Sequence, residues 1–232
     1  AYASARIMPA NHCVPLPENV SDVVAASSML KGLTAWYLLH ETFPVRSGDT
    51  ILVHAAAGGV GQILCQWAKQ LGVTVIGTVG SEAKAVIAKK AGCDHVIFYR
   101  TEDVAARMRA LTNRVGVPVV YDAVGKATFM ASLNALKPLG MMVSFGQASG
   151  PIPAFELSEL AKRGSLFITR PSLKDYIADD ATYQRAAKTL LTLIGSGKLP
   201  MHVSQRYALA DAADAHRALE ARETTGSSVL IP

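Results

Sequence analysis

The sequence predicts an α/β fold built on a six-stranded, doubly wound parallel sheet, and three observations support this. Short apolar runs alternate with helical patterns from Thr50 to about residue 170. The apolar runs are rich in Val and Ile and are too short for helices, which is typical of strands buried on both faces. Glycine follows the last apolar turn of several helical patterns, at Gly72, Gly92 and Gly140, where helix C-termini favour it. Alternation of this kind indicates βαβ units.

The elements can be assigned in order along the chain. Ser21 or Asp22 is expected to cap a helix that ends at Pro44, and Gly32 and Thr34 suggest a break near Lys31. The predicted strands cover 50–56, 73–79, 95–99, 118–124, 141–146 and 165–170. The predicted crossover helices cover 60–72, 81–92, 101–112, 127–140 and 154–164. Two further helices, 179–197 and 211–224, flank an extended segment at 202–209, and 227–232 is predicted as a final strand.

The segment from the first strand into the first crossover helix reads TILVHAAAGGVGQILCQWAKQLG. Its small residues match the dinucleotide-binding GxGxxG pattern at Ala56, Gly58 and Gly61, with Ala56 in place of the first glycine. Gly58 and Gly59 would let the backbone approach a pyrophosphate, and Gly61 would let the helix pack close to the strand. The free N–H groups of the helix N-terminus favour phosphate. A purely structural turn is the alternative, but the strand–loop–helix context favours a Rossmann nucleotide site.

The second strand indicates which dinucleotide is preferred. A carboxylate at its tip would bind the ribose hydroxyls of NAD, but the segment reads VIGTVGSEAK, and Glu82 comes only inside the next helix. Gly80, Ser81 and Lys84 stand where a 2′-phosphate would lie, with a hydroxyl and a positive charge to offer. Lys84 could also be an ordinary solvated lysine, so the missing carboxylate is the stronger argument. The sequence predicts NADPH as the cofactor.

Several segments together resemble the zinc-independent NADPH:quinone oxidoreductases, the zeta-crystallin-like branch of the medium-chain dehydrogenase/reductase superfamily. They are HAAAGGVGQILCQWAKQLG, VIGTVGSEAKAVIAKKAG, VVYDAVG, MMVSFGQASG and GSSVLIP. The resemblance implies the end of a GroES-like catalytic domain and a linking helix in 1–33, a Rossmann domain in 34–172, and a return to the catalytic domain in 173–232. It also implies an N-terminally truncated enzyme whose isolated activity is in doubt. The zinc ligand of related enzymes would fall near Leu30, so we expect no metal.

The resemblance also assigns cofactor contacts. Near the pyrophosphate and nicotinamide it places Thr34, Gly59, Val60, Phe145 and Gly146. Around the 2′-phosphate and the adenosine it places Gly80, Ser81, Lys84, Tyr99 and Val124. Arg170 and Arg222 would complete the anionic and nicotinamide ends, although the first could be an edge-strand arginine and the second a helix-face charge.

The implied reaction is hydride transfer from NADPH to a quinone-like acceptor. No catalytic side chain can be assigned. Tyr37, Tyr99 and Tyr121 are possible proton donors, but Tyr121 is expected in the core. The adjacent Asp122 could simply accept hydrogen bonds at the end of its strand. GQASG is not a hydrolase elbow, and no YxxxK pattern appears. Two rivals stay open: an enoyl or alkenal reductase of the same superfamily, and a non-catalytic NADPH-binding module.

Composition excludes other classes. The net charge of +5 is spread along the chain without a basic block, so no nucleic-acid partner is expected. No apolar run reaches membrane-spanning length, and no signal peptide is recognised. The widely spaced Cys13, Cys65 and Cys93 predict three reduced thiols and a cytoplasmic protein. The apolar edge strand from Ser165 to Arg170 predicts a homodimer, as the resemblance also implies.

Overall fold

The computed structural model describes residues 2–221 and 223–232. Its main sheet contains six parallel strands: β1 (Thr50–Val53), β2 (Thr74–Val79), β3 (His95–Phe98), β4 (Val117–Asp122), β5 (Leu136–Ser144) and β6 (Phe167–Thr169). The strand order is β3-β2-β1-β4-β5-β6, so the direction in which successive strands are added reverses between β1 and β4. This is the doubly wound order of dinucleotide-binding folds and confirms the predicted fold class.

The helices cover both faces of this sheet. In chain order they are α1 (Asp22–Tyr37), α2 (Gly59–Gln70), α3 (Glu82–Lys90), α4 (Val104–Leu111), α5 (Phe129–Ala135), α6 (Ser158–Lys162), α7 (Leu173–Tyr176), α8 (Asp180–Gly195) and α9 (Ala212–Glu220). A second, two-stranded parallel sheet pairs β7 (Val203–Ala208) with β8 (Ser227–Ile231). Because α9 lies between them in sequence, β7, α9 and β8 form one further βαβ unit.

Two hydrophobic cores lie on opposite faces of the main sheet. Ile51 and Val53 of β1 belong to the core that α1, α2 and α8 cover, whereas Leu52 belongs to the core under α4 and α5. This alternation follows from the two-residue period of a strand. Each fully buried aliphatic side chain contributes about 1.5–3 kcal/mol relative to exposure, so burial on both faces holds the helices against the sheet.

The predicted break near Lys31 is wrong, because α1 runs continuously and ends in a π-helical turn, Leu38–Thr42. Gly32 has a packing role: a Cβ there would lie 2.4 Å from a methyl carbon of Leu190 in α8. Thr34 donates its hydroxyl to Leu30 O at 2.8 Å, within the helix. The cap is Ser21, whose side chain accepts from Val24 N.

The helix predicted over 127–140 ends much earlier. Residues from Leu136 onward belong to β5, and Leu139, not Gly140, has the left-handed backbone, with φ of 60°. Pro138 explains this, since proline has no N–H for a helix and disfavours helical backbone in the residue before it. The helix predicted over 154–164 is likewise reduced to α6. The predicted boundary between 33 and 34 falls inside α1, and the domain limits stay predictions.

Candidate functional site: a cleft at the carboxyl edge of the sheet

A cleft of about 300 Å³ opens at the carboxyl ends of β1, β2 and β4. It lies where the strand order reverses, between β1 and β4, which is the usual ligand site of open α/β sheets. Wider hollows exist at the surface, including one of about 560 Å³ beside Arg170, but that one contains no residue of the glycine loop. The cleft is lined by Ala55, Ala57, Gly58, Gly59, Thr78, Val79, Gly80, Lys84, Tyr99, Val124, Ala148, Ser149, Leu219, Thr224 and Gly226.

The floor of the cleft is the glycine loop between β1 and α2. The left-handed residue of the turn is Ala55, with φ of 54°, rather than Ala56, the residue aligned with the first glycine of the pattern. Gly58 donates its N–H to Ala55 O at 2.8 Å and closes the turn. A Cβ on Gly61 would lie 2.3 Å from Ala55 O, so α2 can approach β1 this closely only with glycine at that position.

The N-terminus of α2 faces this floor without a side-chain cap. Its N-cap residue is Gly58, which has no side chain to accept from the N–H groups of the first turn. A Cβ on Gly59 would lie 2.8 Å from Gly226 O and 2.7 Å from Lys31 Cε, so the loop also packs tightly on its other side. Bare backbone and a helix N-terminus together favour an anionic group here.

The second wall comes from β2 and the start of α3. Ser81 is the N-cap of α3, and its hydroxyl accepts from Lys84 N at 3.4 Å. Lys84 lies one turn into the helix and lines the cleft, whereas Glu82 is exposed and does not. No Asp or Glu is found among the described residues that line the cleft, and none of them forms an ion pair with the Lys84 ammonium.

Tyr99 follows β3 and closes the outer end of the cleft. A Cβ on Gly80 would lie 2.8 Å from its hydroxyl oxygen, so only glycine leaves room for the phenol at this point. The guanidinium carbon of Arg100 lies 6.0 Å from the centroid of the Tyr99 ring, within cation–π range. Arg100 is therefore a positive charge beside the Tyr99 ring, and no sequence motif indicates it.

The third wall is the turn after β4. The buried Asp122 accepts at Oδ1 from the N–H groups of Val124 at 2.7 Å and Gly125 at 3.0 Å, which fixes the turn. Ser149 Oγ donates to Val124 O at 2.8 Å and ties the loop after β5 to the same turn. These contacts agree with the expectation that Asp122 accepts hydrogen bonds at the end of its strand.

Six of the predicted cofactor residues line the cleft: Gly58, Gly59, Gly80, Lys84, Tyr99 and Val124. Val60, Gly61 and Ser81 are adjacent to it in sequence without lining it. Thr34 lies in α1 with its hydroxyl bonded inside the helix. Phe145 and Gly146 follow β5, and their N–H groups donate to Asp122 O at 2.9 and 3.2 Å. The binding roles of all these residues stay predictions.

Of the two predicted arginines, Arg170 is not brought to the cleft. Arg170 ends β6 and donates from a guanidinium nitrogen to Ser144 O at 2.7 Å, beside a separate hollow. Arg222 lies outside the described residues, although its neighbours Leu219, Thr224 and Gly226 line the cleft. Leu219 and Thr224 could not be identified from the sequence, because they follow the glycine loop by more than a hundred residues and lie outside the segments that carry the resemblance.

The three candidate proton donors differ in exposure. Tyr121 is fully buried and donates to Leu38 O at 3.0 Å, which confirms its place in the core. Tyr37 is also buried and stacks on Tyr176 with 4.5 Å between the ring centroids. Burial, with a contribution from Tyr176, raises the pKa of Tyr37 to about 12. Only Tyr99 among these three reaches the cleft.

The described residues contain no group of three or more His, Cys, Asp or Glu side chains arranged to hold a metal ion. Cys65 and Cys93 are buried free thiols with their sulfur atoms 3.5 Å apart, and Cys13 is exposed. Over residues 2–221 and 223–232, no helix combines the length and apolar character needed to cross a bilayer.

Comparison with known proteins places this geometry in a family. Residues 59–190 match the family model described as zinc-binding dehydrogenase. The chain is 48% identical over 232 residues to a quinone oxidoreductase of Pseudomonas aeruginosa, covering 100% of this chain and 71% of that protein. It is 45% identical over 235 residues to a 2-haloacrylate reductase of Burkholderia, again covering 100% of this chain and 71% of the relative.

Solved structures agree with these sequence relationships. The crystal structure of Escherichia coli quinone oxidoreductase complexed with NADPH superimposes with a TM-score of 0.97 at 47% identity, covering 100% of this chain and 72% of that one. The identity is near one half over the whole chain, and the chain covers more than two thirds of these relatives. The chain belongs to the quinone oxidoreductase family of the medium-chain dehydrogenase/reductase superfamily.

Proposed function

We propose that the cleft binds NADPH and that the chain is the main part of the cofactor-binding domain of an NADPH-dependent quinone oxidoreductase. The observation that carries the proposal is the Lys84 ammonium, which lines a cleft floored by Gly58 and Gly59 and free of carboxylates among its described residues. The glycines offer the bare backbone that a pyrophosphate needs, and Lys84 offers the charge that a 2′-phosphate needs. The residues present therefore fit this cofactor.

Each wall would hold a different part of the molecule. The glycine loop and the first turn of α2 would bind the pyrophosphate. Lys84, with Gly80 and Tyr99, would bind the adenosine end with its 2′-phosphate. Val124 and Ser149 would contact the adenine side from the third wall, and Arg222 is proposed for the opposite end.

Bound NADPH supplies a hydride, and the protein binds and orients its carrier. Backbone N–H groups of the glycine loop and Lys84 would hold the anionic groups of the cofactor, and Leu219 and Val79 are apolar residues of the cleft lining. Tyr99 is the one candidate phenol at the cleft, but it stands with Lys84 at the predicted adenosine end. We therefore assign no catalytic side chain.

A reductase of activated alkenes is the second candidate, and a specific observation favours it. The relative from Burkholderia, a 2-haloacrylate reductase, is nearly as similar to the chain as the quinone oxidoreductase from Pseudomonas. Both reactions use a hydride from the same kind of cofactor, so the cleft described above serves either. The acceptor alone separates them.

The experiment that tests the proposed function is NADPH oxidation by protein containing this chain, with a simple quinone and with 2-haloacrylate as alternative acceptors. We expect NADPH consumption with the quinone and less with the haloacrylate. Faster consumption with the haloacrylate would favour the alkene reductase. Binding of NADPH without turnover of either acceptor would favour a non-catalytic NADPH-binding module.

We also propose that the protein is a cytoplasmic, zinc-independent homodimer that pairs through the segment from Ser165 to Arg170. Leu30 at the position aligned with a zinc ligand supports the absence of zinc, although the matched family model carries zinc in its name. Phe167 in the outer strand β6 is 55% exposed and supports the dimer. The limits 1–33, 34–172 and 173–232 are proposed domain boundaries.

A further inference from the structure

A chain of hydrogen-bonded side chains lies buried directly behind the cleft. His54 follows β1, and its Nδ1 lies 2.9 Å from Thr78 Oγ1 at the end of β2. Its Nε2 lies 3.0 Å from Ser132 Oγ in α5. Ser132 Oγ in turn lies 2.8 Å from Asp122 Oδ2 at the end of β4. Each of these four side chains is almost fully shielded from solvent.

The hydrogen bonds of this network determine where its protons lie. The Asp122 carboxylate can only accept, so the single proton of Ser132 points to Asp122 Oδ2. Ser132 Oγ must then accept from His54, which requires a proton on Nε2. Burial lowers the pKa of His54, and the negative charge of Asp122, which acts to raise this pKa, does not outweigh the burial. The ring is therefore neutral, and Nδ1 carries no proton. Thr78 therefore donates its hydroxyl proton to Nδ1.

This series of hydrogen bonds, from Thr78 to Asp122, connects two walls of the cleft. Thr78 lines the cleft at the end of β2, next to Val79 and Gly80. At the other end of the network, Asp122 uses its second oxygen, Oδ1, to hold the turn that carries Val124. His54 is the only residue of the network that bonds toward both walls, and its backbone N–H also donates to Tyr121 O at 2.9 Å in β4.

We propose that His54, as a neutral imidazole protonated on Nε2, is a positioning residue that sets the separation of the β2 wall and the β4 wall for the cofactor. It does not touch the cleft and acts through Thr78 and Asp122. The inference rests on the proposed function, because it concerns the affinity of the cleft for NADPH.

The first test is spectroscopic and does not depend on ligand binding. In protein labelled with ¹⁵N at histidine, long-range ¹H–¹⁵N correlation distinguishes protonated from unprotonated ring nitrogens, and the His54 signals are assigned by their loss in His54→Gln. We expect a protonated Nε2 and an unprotonated Nδ1 at neutral pH. A proton on Nδ1, or on both nitrogens, would overturn the assignment.

The second test is NADPH titration of this chain and of three variants. His54→Phe removes both hydrogen bonds and is expected to weaken NADPH binding at least fivefold. His54→Gln keeps a donor near the position of Nε2 and is expected to bind within about twofold of the unchanged chain. The matched control is His40→Phe, which replaces a histidine packed between Trp36 and Trp67, away from the cleft, and should leave binding unchanged.

Folded His54→Phe that binds NADPH as tightly as the unchanged chain would contradict the proposal. If that variant does not fold, Ser132→Ala makes the smaller change of cutting His54 from Asp122, and it should weaken binding severalfold. Failure of the unchanged chain to bind NADPH would instead contradict the proposed function, and the ¹⁵N measurement would still decide the protonation of His54.

Discussion

Lys84 is the residue on which the distinction between NADPH and NADH depends most directly. It stands one turn into α3, held there because Ser81 caps the helix, and it lines the cleft without a carboxylate partner among the described residues. Lys84→Ala should weaken NADPH binding about tenfold, or ~1.4 kcal/mol, and leave NADH binding unchanged. Calorimetric titration with each cofactor measures both effects.

Lys89 provides the matched control for that substitution. It belongs to the same helix, carries the same charge and is exposed away from the cleft. Lys89→Ala should therefore leave the binding of both cofactors unchanged. Equal weakening by the two variants would mean that only the overall charge of the helix matters and that Lys84 makes no specific contact.

Gly61 tests the close packing of the glycine loop. Because a Cβ at this position would lie 2.3 Å from Ala55 O and 2.9 Å from Ala56 Cα, Gly61→Ala must push α2 away from β1. We expect a loss of about 1–3 kcal/mol in the free energy of unfolding, as for other overpacked sites. Urea denaturation measures this loss, and a variant of unchanged stability would show that the loop accommodates a side chain.

The sequence identified the residue types of the site better than their exact places. Gly58, Gly59, Gly80 and Lys84 could be read from a motif and from a missing carboxylate. The residue with left-handed backbone could not be read from the motif, because it is Ala55, whereas the motif aligns Ala56 with the first glycine. Residues such as Leu219 reach the cleft only through tertiary folding, and no local pattern predicts this.

At the scale of single elements, Asp94, which immediately precedes β3, joins α2 to β2. Its carboxylate lies 2.7 Å from Lys69 Nζ and accepts from Val75 N at 2.8 Å. Partial burial acts to raise the pKa of Asp94, but these two donors outweigh it and hold the pKa below its usual value. A carboxyl group with a lowered pKa stabilises the fold above its unfolded pKa, and this stabilisation is lost as the pH falls.

Asp94→Asn isolates the charge, because the amide oxygen can still accept from Val75. We expect a loss of less than about 1 kcal/mol at neutral pH, since the pair is partly exposed. The difference between the two proteins should shrink as the pH falls below about 4, where the unfolded carboxyl group is protonated. Thermal unfolding over a pH series measures this, and a difference independent of pH would contradict the ion-pair account.

Most elements could be predicted because the spacing of the apolar residues agrees with the positions of Gly and Pro at element ends. Gly72 and Gly92 do have the left-handed backbone expected at helix ends. The wrong predictions of helix breaks and helix ends came from residues whose type is compatible with more than one structural role. Gly32 suggests a break in the helix, but in the structure it makes room for Leu190 of α8. Pro138 falls within a predicted helix because the apolar period continues past it, although it lies in strand β5, which begins at Leu136.

At the scale of the whole molecule, the sheet ends in the short strand β6, whose outer edge is unpaired within the described chain. We expect Phe167→Glu to convert a dimer to a monomer, because a charge on this edge opposes strand pairing. Light scattering at micromolar concentration measures the mass. Val115→Glu, at an equally exposed position before β4, should leave the mass unchanged. A monomeric mass for the unchanged chain would contradict the proposed dimer.

The strand order of the whole sheet could be predicted, because alternating strands and helices with a glycine loop after the first strand admit few topologies. The wall formed by α9 and the turn before β8 could not, because only tertiary folding brings Leu219 and Thr224 to the cleft. Their place depends on contacts such as the hydrogen bond from Lys31 Nζ to Ser227 Oγ, which joins α1 to β8.

Calorimetric titration of this chain with NADPH and then with NADH tests the central claim most directly. The account predicts that NADPH binds at least tenfold more tightly, a difference of ~1.4 kcal/mol or more. Equal affinity, or tighter binding of NADH, would contradict the assignment of the cleft to a 2′-phosphorylated dinucleotide.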